Sequence, residues 1–460
     1  MSVKRLLIMM LLALCMAPSP AWAEEGRPLY AVKDKNGLWG FIDCKGNLVM
    51  PGTFTWAKDF RGDYALARQD GSGRYGIINA QGEWILPPVY EDIMSVSDSG
   101  EMANVYLVIK EWKKGEKQGF FDIPSGFFSG LIYDTVHIEW TENTDSEYIG
   151  VSMDGKLGFA SRTTGEIVIP CQYSPDDCQG FSGDYCMVMP YDATVADGWI
   201  LIDRQGREVP LPENCYAAST FSDGLAAVWD SVRDLCGYID TAGNVVLEPQ
   251  YLSAYAFSEG LACVRLQTGE WAMIAPDGGI AFTRLDEADA SLSSAYCSHG
   301  LIRCALPDGS TVVYCDREGN EKFRLHIDGL SAIGDFKENG VAFYEVYGSS
   351  DNSYNFKDGY GVGLINDRGE VLTRPIFYVP DWDWRAEYAE GLFRITEIST
   401  LKEGYIDERG RWAFRPVNGY CRDFRDGLAR IDLYPDVIFV DRKGKELYRF
   451  ALNETKTELQ

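Results

Sequence analysis

Histidine is scarce in this chain, and its scarcity limits the chemistry available. Only three histidines occur, His137, His299 and His326, and they are widely separated in the sequence. A histidine metal cluster or a Ser-His-Asp triad would require the fold to gather them. No Cys-x-x-Cys pair occurs, so zinc and redox motifs with that spacing are absent as well. The sequence therefore predicts no catalytic residue, no metal site and no cofactor.

Positive charge is also in short supply. The chain has 43 Lys and Arg against 69 Asp and Glu, and its formal net charge is −26. A surface this acidic repels phosphate backbones and anionic lipid headgroups. We therefore expect no nucleic-acid partner, whereas basic peptides and neutral glycans are compatible with the charge.

A hydrophobic run long enough to span a bilayer is missing, so no integral membrane segment is expected. The apolar stretch 6–17 is short, follows Lys4 and Arg5, and precedes small residues at 21 and 23. This order is typical of a secretory signal peptide. The sequence thus predicts a signal peptide over 1–23, cleavage near Ala23, and a secreted, periplasmic or cell-envelope protein.

The cysteines leave the question of disulfides open. Eleven of the twelve follow the expected cleavage point, an odd number, so a fully paired set within one chain is impossible. Export would permit disulfides. The candidate local bridges lie within two groups, Cys171, Cys178 and Cys186, and Cys297, Cys304 and Cys315.

What the sequence does contain is a recurring turn, Asp/Asn-x-x-Gly, after a short β-prone run. Eleven turn glycines mark it, eight in tight copies and three in looser ones, at positions 46, 82, 126, 165, 206, 243, 278, 319, 369, 410 and 444. Their spacing averages about 40 residues. An Asp or Asn that caps backbone N–H groups two residues on, followed by a left-handed glycine, is typical of a tight hairpin.

Each turn lies between two short β-branched runs, and a third run precedes them. The third run carries an aromatic residue followed by Gly-Leu-Ala, as in Phe221 to Val228 and Phe257 to Val264. The sequence predicts an all-β chain of about eleven three-stranded hairpin units.

The unit resembles the WG repeat of bacterial exported and surface proteins, named for Trp-Gly at the start of its second strand. Trp39-Gly40-Phe41-Ile42-Asp43 is the clearest copy, and the resemblance covers roughly 28–450. In most other units the Trp has changed while the Gly is kept. The resemblance implies a β-rich repeat scaffold without an assigned enzymatic activity, and it supplies no catalytic residues.

Such units cannot bury their apolar faces alone, so neighbours must stack or close into a ring. Eleven units exceed the usual four to eight propeller blades. We therefore expect an open, twisted or superhelical stack, with one or two propeller-like closed rings as the alternative. The array is expected over 24–450, followed by a polar tail at 451–460.

The longest unit, between Gly319 and Gly369, is rich in aromatic residues, and more follow it. Insertions in repeat arrays map to loops on one face, often the binding face. Exposed Trp and Tyr are suited to glycan and peptide recognition. The candidate binding residues are Tyr344, Tyr347, Tyr354, Tyr360, Trp382 and Trp384.

Three functions are compatible with these features. The favoured one is a non-catalytic binding or scaffold protein that recognises a peptide or glycan along the repeats. The alternative is an exported, glycosidase-like hydrolase that uses a pair of carboxylates. The third is a purely architectural spacer.

Overall fold

The computed structural model contains strands, turns and loops, and its described part has no helix. That part comprises residues 28–95, 105–137, 147–192, 199–284, 297–305, 310–334, 336–337, 339–347, 360–378 and 388–452. Within these ranges, forty strands form nine antiparallel sheets. The predicted all-β class is confirmed.

The strands fall into eleven successive units, each containing one of the turn glycines. Units 1 to 3 hold β1 Tyr30–Lys33, β2 Trp39–Ile42, β3 Leu48–Phe54; β4 Trp56–Ala57, β5 Tyr64–Arg68, β6 Tyr75–Asn79, β7 Trp84–Tyr90; β8 Asp92–Ser95, β9 Val105–Ile109, β10 Gln118–Asp122 and β11 Phe127–Phe128. Units 4 to 6 hold β12 Thr135–His137, β13 Tyr148–Met153, β14 Lys156–Ser161, β15 Ile167–Ser182; β16 Tyr185–Pro190, β17 Ile200–Asp203; β18 Cys215–Ala217, β19 Leu225–Asp230, β20 Leu235–Asp240 and β21 Val245–Tyr251.

The remaining units have the same construction. Units 7 to 9 hold β22 Ser253–Ala254, β23 Ala262–Arg265, β24 Trp271–Ile274, β25 Ile280–Arg284; β26 Cys297–Ser298, β27 Leu301–Ala305, β28 Thr311–Cys315, β29 Glu321–His326; β30 Leu330–Ile333, β31 Val341–Tyr347, β32 Tyr360–Asn366 and β33 Phe377–Tyr378. Units 10 and 11 hold β34 Tyr388–Ala389, β35 Leu392–Glu397, β36 Lys402–Asp407; β37 Tyr420–Cys421, β38 Leu428–Asp432, β39 Asp436–Asp441 and β40 Glu446–Ala451.

The three predicted strands are present in most units, and most sheets add a fourth. In units 5 and 10 the third strand is reduced to isolated bridges, such as Ile202 with Glu208 and Ile406 with Trp412. In unit 2 the order is β4-β5-β6-β7, in which the two-residue β4 pairs with the end of β5. Units 4 and 5 share one six-stranded sheet because β15 is long enough to pair with β14 and then with β16. Units 9 and 10 are joined in the same way through β33.

The turns between the second and third strands have the predicted chemistry. In all eight tight copies the Asp or Asn side-chain oxygen accepts hydrogen bonds from the backbone N–H groups two and four residues later, at 2.8–3.2 Å. The turn glycine that follows is left-handed, as at Gly243 with φ 84°. Only glycine adopts this conformation without strain.

The glycine of the Trp-Gly pair has a different reason to be kept. A Cβ on Gly237 would lie 2.5 Å from the carbonyl oxygen of Leu247 on the third strand. The corresponding Cβ on Gly40, Gly76 or Gly158 would meet the equivalent carbonyl of its own unit. The register shifts at this point, between Cys236 and Tyr238 in unit 6, and brings the third strand close. Packing therefore requires the glycine, whereas the preceding Trp can be replaced.

Hydrophobic clusters lie between successive units, so both faces of most sheets are buried. β2 and β28 are buried along their whole length. The following buried pairs, one residue from each neighbouring unit, share a cluster in order from units 1 and 2 to units 10 and 11: Phe41 and Phe60, Leu66 and Phe121, Phe120 and Val151, Phe159 and Val188, Leu201 and Ile239, Tyr238 and Ala262, Cys263 and Ile302, Tyr314 and Tyr344, Phe343 and Phe393, Tyr405 and Ile431.

Unit 11 also packs against unit 1. The rings of Tyr30 and Phe439 lie 5.8 Å apart, and those of Trp39 and Phe450 lie 5.9 Å apart. The Tyr30 hydroxyl donates to the carbonyl of Arg425, whose guanidinium donates to the carbonyl of Phe60. These contacts complete a cycle of eleven interfaces. They fit the closed-ring alternative and correct the favoured expectation of an open stack, because the last apolar face is covered by the first unit.

Candidate functional site: an aromatic edge

The topology gives every unit two chemically different edges. We call the edge with the Asp/Asn-x-x-Gly turns, between the second and third strands, the turn edge. The opposite edge holds the loops between the first and second strands and the passages to the next unit, and we call it the loop edge. In unit 2 the loop edge comprises residues 69–74 and the passage 90–92.

At the turn edge, acidic side chains are occupied by backbone N–H groups of the next unit. Asp223 accepts from Gly260 at 2.7 Å, and Glu390 accepts from Gly427 at 3.0 Å. Glu259 accepts from His299 and Gly300 at 2.9 Å. The bond from Gly300 is the main cause that lowers the pKa of Glu259.

These acidic residues are held in place by tight two-residue turns. Asp223, Glu259, Glu390 and Asp426 each have a φ between 50° and 53° and are followed by a glycine that also has a positive φ. Two successive left-handed residues are typical of a type I′ hairpin turn. The aromatic-x-x-Gly-Leu-Ala motif therefore encodes both a hairpin and a link between units.

At the loop edge, aromatic side chains recur at strand ends and in the adjoining loops. Trp112 is 58% exposed and Trp229 is 38% exposed. The set, which we call the aromatic edge, is Trp56, Tyr75, Trp112, Tyr191, Tyr216, Trp229, Tyr255, Trp271, Tyr347, Tyr360, Tyr420 and Tyr434. It draws on units 2, 3, 5, 6, 7, 9 and 11.

Units 6 and 7 carry two similar pairs of rings. In unit 6 the rings of Tyr216 and Trp229 lie 6.1 Å apart, and the Trp229 indole N–H donates to Asp234 at 3.0 Å. In unit 7 the rings of Tyr255 and Trp271 lie 6.0 Å apart. Each pair joins a ring from the short fourth-strand segment to one from the main hairpin, so each ring has a defined orientation.

Cations lie over several of these rings. The Arg68 guanidinium is 3.9 Å from the centre of the Tyr75 ring and 5.1 Å from that of Trp56. Lys156 of unit 4 lies 5.0 Å from the Tyr191 ring of unit 5. Such contacts contribute about 0.5–1 kcal/mol each at exposed sites. Apolar ring faces and cationic hydrogen-bond donors therefore lie side by side along the loop edge.

Of the predicted binding residues, Tyr347 and Tyr360 lie on this edge. They face each other across β31 and β32, their rings are 5.0 Å apart, and Tyr347 is 49% exposed. Tyr344 is a correction: it is 2% exposed, packs in the cluster between units 8 and 9, and donates to the carbonyl of Thr373 at 2.8 Å. It therefore belongs to the core.

The other predicted binding residues, Tyr354, Trp382 and Trp384, lie outside the described residues. The aromatic residues of units 2, 3, 5, 6, 7 and 11 were not predicted. A signal was available for some of them, which lie at the start of the second strand or next to the end of the first. Tyr75 and Trp271 are the first residues of their second strands, and Trp229 is the last residue but one of its first strand.

The histidines take up ordinary polar contacts. His137 Nε2 lies 2.8 Å from the Ser152 hydroxyl, and His326 Nδ1 lies 2.8 Å from the Thr311 hydroxyl. Across the described ranges, no group of three or more His, Cys, Asp or Glu side chains is arranged to hold a metal ion. The same ranges hold no helix of the length and apolarity that crossing a membrane requires.

The hydrolase alternative requires a carboxylic acid of raised pKa beside a second carboxylate. Burial raises the pKa of Glu345 on β31. One carboxyl group of raised pKa is not an acid–base pair, so Glu345 alone does not favour hydrolysis.

Comparison with solved structures gives distant likenesses. The computationally designed Ika8 protein has 13% identity and a TM-score of 0.35, covering 66% of this chain and 93% of its own. A eukaryotic initiation factor has 8% identity and a TM-score of 0.37, covering 76% and 96%. BamB from Moraxella catarrhalis has 13% identity and a TM-score of 0.32, covering 74% and 97%. At these TM-scores the likenesses carry no argument, and no curated protein matches the sequence.

Comparison with protein families identifies the repeat itself. The WG containing repeat matches residues 39–72, 75–107 and 237–271. Each matched stretch contains all or most of a second strand, its turn and the third strand, as described above for units 1, 2 and 6. The predicted resemblance is confirmed at these three repeats: the chain is a β-repeat protein that carries WG containing repeats.

Proposed function

We propose that this chain is a non-catalytic binding or scaffold module, exported to the cell envelope or beyond, that takes a peptide or glycan along its aromatic edge. One observation carries the proposal: aromatic rings recur at the loop edge of units 2, 3, 5, 6, 7, 9 and 11. Exposed rings of this kind, interspersed with polar groups, are enriched at recognition surfaces.

The fixed orientation of the rings supports a binding role. The Trp229 indole is held by Asp234, and Trp271 lies beside Arg265, whose guanidinium is 5.8 Å from the ring centre. A ring that is already positioned loses little conformational freedom when a ligand binds. The energy of contact is therefore available for affinity.

Repetition supports an extended ligand. Units 6 and 7 present ring pairs in consecutive repeats, and each pair provides a contact site of the same chemistry. A ligand with repeating residues could occupy several sites at once, and linked weak contacts raise the overall affinity. Polysaccharides and extended peptides both have this property.

The test begins with ligand discovery on the full mature chain. A glycan array and a peptide library identify ligands, and a pull-down from the native envelope fraction identifies cellular partners. Trp229→Ala and Trp271→Ala should each weaken a discovered ligand about tenfold or more, which corresponds to about 1.4 kcal/mol.

Ile280→Ala is the matched control, because Ile280 is exposed at the turn edge of unit 7. Its affinity should equal that of the wild type. If the tryptophan variants also bind normally, the aromatic edge is not the ligand surface. If a folded, exported chain captures neither glycan nor peptide, the architectural spacer is the better description.

A further inference from the structure

Two cysteines at the junction of units 4 and 5 are placed for a reaction that the binding function does not use. Cys178 lies on the second half of β15 and Cys186 lies on the neighbouring β16. Their Sγ atoms are 3.6 Å apart, which is van der Waals contact between sulfur atoms. We propose that Cys178 and Cys186 form a disulfide when the protein meets a thiol-oxidising disulfide.

The strand register makes the pair geometrically suitable. Cys178 is opposite Val188, and Cys186 is two residues before Val188 on the same strand. The cysteines are therefore diagonal neighbours on one face of an antiparallel pair, where side chains come within reach of each other. A small approach of the two sulfur atoms, within a region of irregular pairing, would bring them to bonding distance.

The third local cysteine is directed elsewhere. Cys171 Sγ lies 3.8 Å from the carbonyl of Val151 on β13, in the part of the sheet that belongs to unit 4. The structure thus distinguishes one pair among the three cysteines that the sequence alone left open.

The environment sets an order for the reaction. Cys186 is buried in the cluster between units 4 and 5, whereas Cys178 is only partly buried beside it. The hydrogen bond with Cys178, together with burial, raises the pKa of Cys186. Cys178 is therefore the thiol that attacks the external disulfide, because it is more accessible and the thiolate is the reactive form.

The steps balance as ordinary thiol–disulfide exchange. The Cys178 thiolate attacks an external disulfide, such as oxidised glutathione, and releases one thiol as the mixed disulfide forms. Cys186 then loses its proton and attacks Cys178 Sγ, which releases the second thiol. Two electrons and two protons pass to the external disulfide, which is reduced to two thiols.

The bond would stabilise an irregular part of the fold. The pairing of β15 with β16 shifts between Tyr173 and Cys178 and again between Cys178 and Phe181. β15 is also the strand that joins units 4 and 5 into one sheet. A covalent link at this point fixes the register where the ladder of backbone hydrogen bonds is least regular.

The experiment treats the full mature chain with oxidised glutathione and then blocks the remaining thiols with N-ethylmaleimide under denaturing conditions. Chymotrypsin can cleave after Tyr173, Phe181 and Tyr185, so the three local cysteines fall on separate fragments. Mass spectrometry should find the Cys178 and Cys186 fragments joined, and separated after reduction. Cys178→Ser and Cys186→Ser should each lose the joined species.

Cys171→Ser is the matched control and should retain the joined fragments. Reduction should lower the thermal unfolding midpoint of the oxidised wild type and of Cys171→Ser, but not that of Cys178→Ser. The proposal is overturned if both cysteines carry N-ethylmaleimide after oxidation, or if either is joined to another cysteine instead. Because the peptide map requires no folded variant, a variant that fails to fold does not affect this outcome.

Discussion

The turn edge and the loop edge of this molecule have different chemistry although the same strands connect them. At the turn edge, Asp and Asn side chains accept hydrogen bonds from their own turns, and Asp223, Glu259 and Glu390 also accept from the next unit. At the loop edge, aromatic rings are left partly exposed. The comparison teaches that hydrogen bonds within and between units occupy the polar groups of the turn edge, whereas much of the ring surface at the loop edge is not used by the fold.

The largest loss of stability is expected near the loop edge at Gly237, which packs against the third strand of its unit. Gly237→Ala should reduce the free energy of unfolding by about 3 kcal/mol, because the new methyl group collides with the carbonyl of Leu247. Gly71→Ala, in the loop edge of unit 2, has open space around the added Cβ and should change it by less than about 0.5 kcal/mol. Chemical denaturation measures both variants, and equal losses would contradict the packing role of Gly237.

An intermediate effect is expected at the turn edge. Asp203→Ala should cost about 1 kcal/mol, because two backbone N–H groups lose their acceptor. Asp203→Asn should retain most of the stability, since Asn79 occupies the equivalent turn in unit 2. The unfolding midpoints of the three proteins at neutral pH test this order, and a loss in the Asn variant as large as in the Ala variant would contradict it.

The contribution of Asp203 to the free energy of unfolding should also depend on pH. Burial would raise the pKa of Asp203, but hydrogen bonds from Arg207 and Gln205 outweigh it and lower the pKa. Because the pKa of Asp203 is lower in the folded than in the unfolded protein, its ionised form stabilises the folded state at pH values above the ordinary pKa of about 3.9. This stabilisation is lost as the pH falls through the pKa of the folded state. The difference between wild type and Asp203→Ala should therefore shrink in acid.

The smallest effect on stability is expected on the aromatic edge. Trp229→Ala should reduce the free energy of unfolding by about 0.5 kcal/mol, because the ring is partly exposed and lies beside Tyr216 at the edge of the sheet. Urea unfolding of the preparation used for ligand binding measures it. A loss as large as that of Gly237→Ala would assign Trp229 to the core and remove the contrast between the edges.

Local features of the fold could be predicted from the sequence because their causes are local. The turn at Asp240 depends on residues within four positions, and so its capping and its glycine were predictable. The closing contact of Tyr30 with Phe439 joins residues about four hundred positions apart, and no turn or propensity encodes it. The short β4 is equally hidden, since its two residues are a strand only through pairing with β5.

The candidate site was predictable in part for a related reason. Aromatic content identified the longest unit, and Tyr347 and Tyr360 do lie at its exposed hairpin end. The orientation of Tyr344 could not be predicted from alternation, because β31 is buried on both faces over most of its length. When neighbours cover both sides of a sheet, the period-two pattern no longer distinguishes inside from outside.

The packing of unit 11 against unit 1 has a consequence for how the array loses structure. In an open array each end has one uncovered face and can fray by itself, so terminal repeats need special polar caps. Here Leu29 of unit 1 and Phe450 of unit 11 belong to one hydrophobic cluster, so the first and last units cover each other and neither has an uncovered end face. Removing one unit from either end of this array exposes the apolar faces of both units that it had contacted. In an open array the same deletion would only replace one exposed end face by another. A shortened chain should therefore aggregate more readily than a shortened open array.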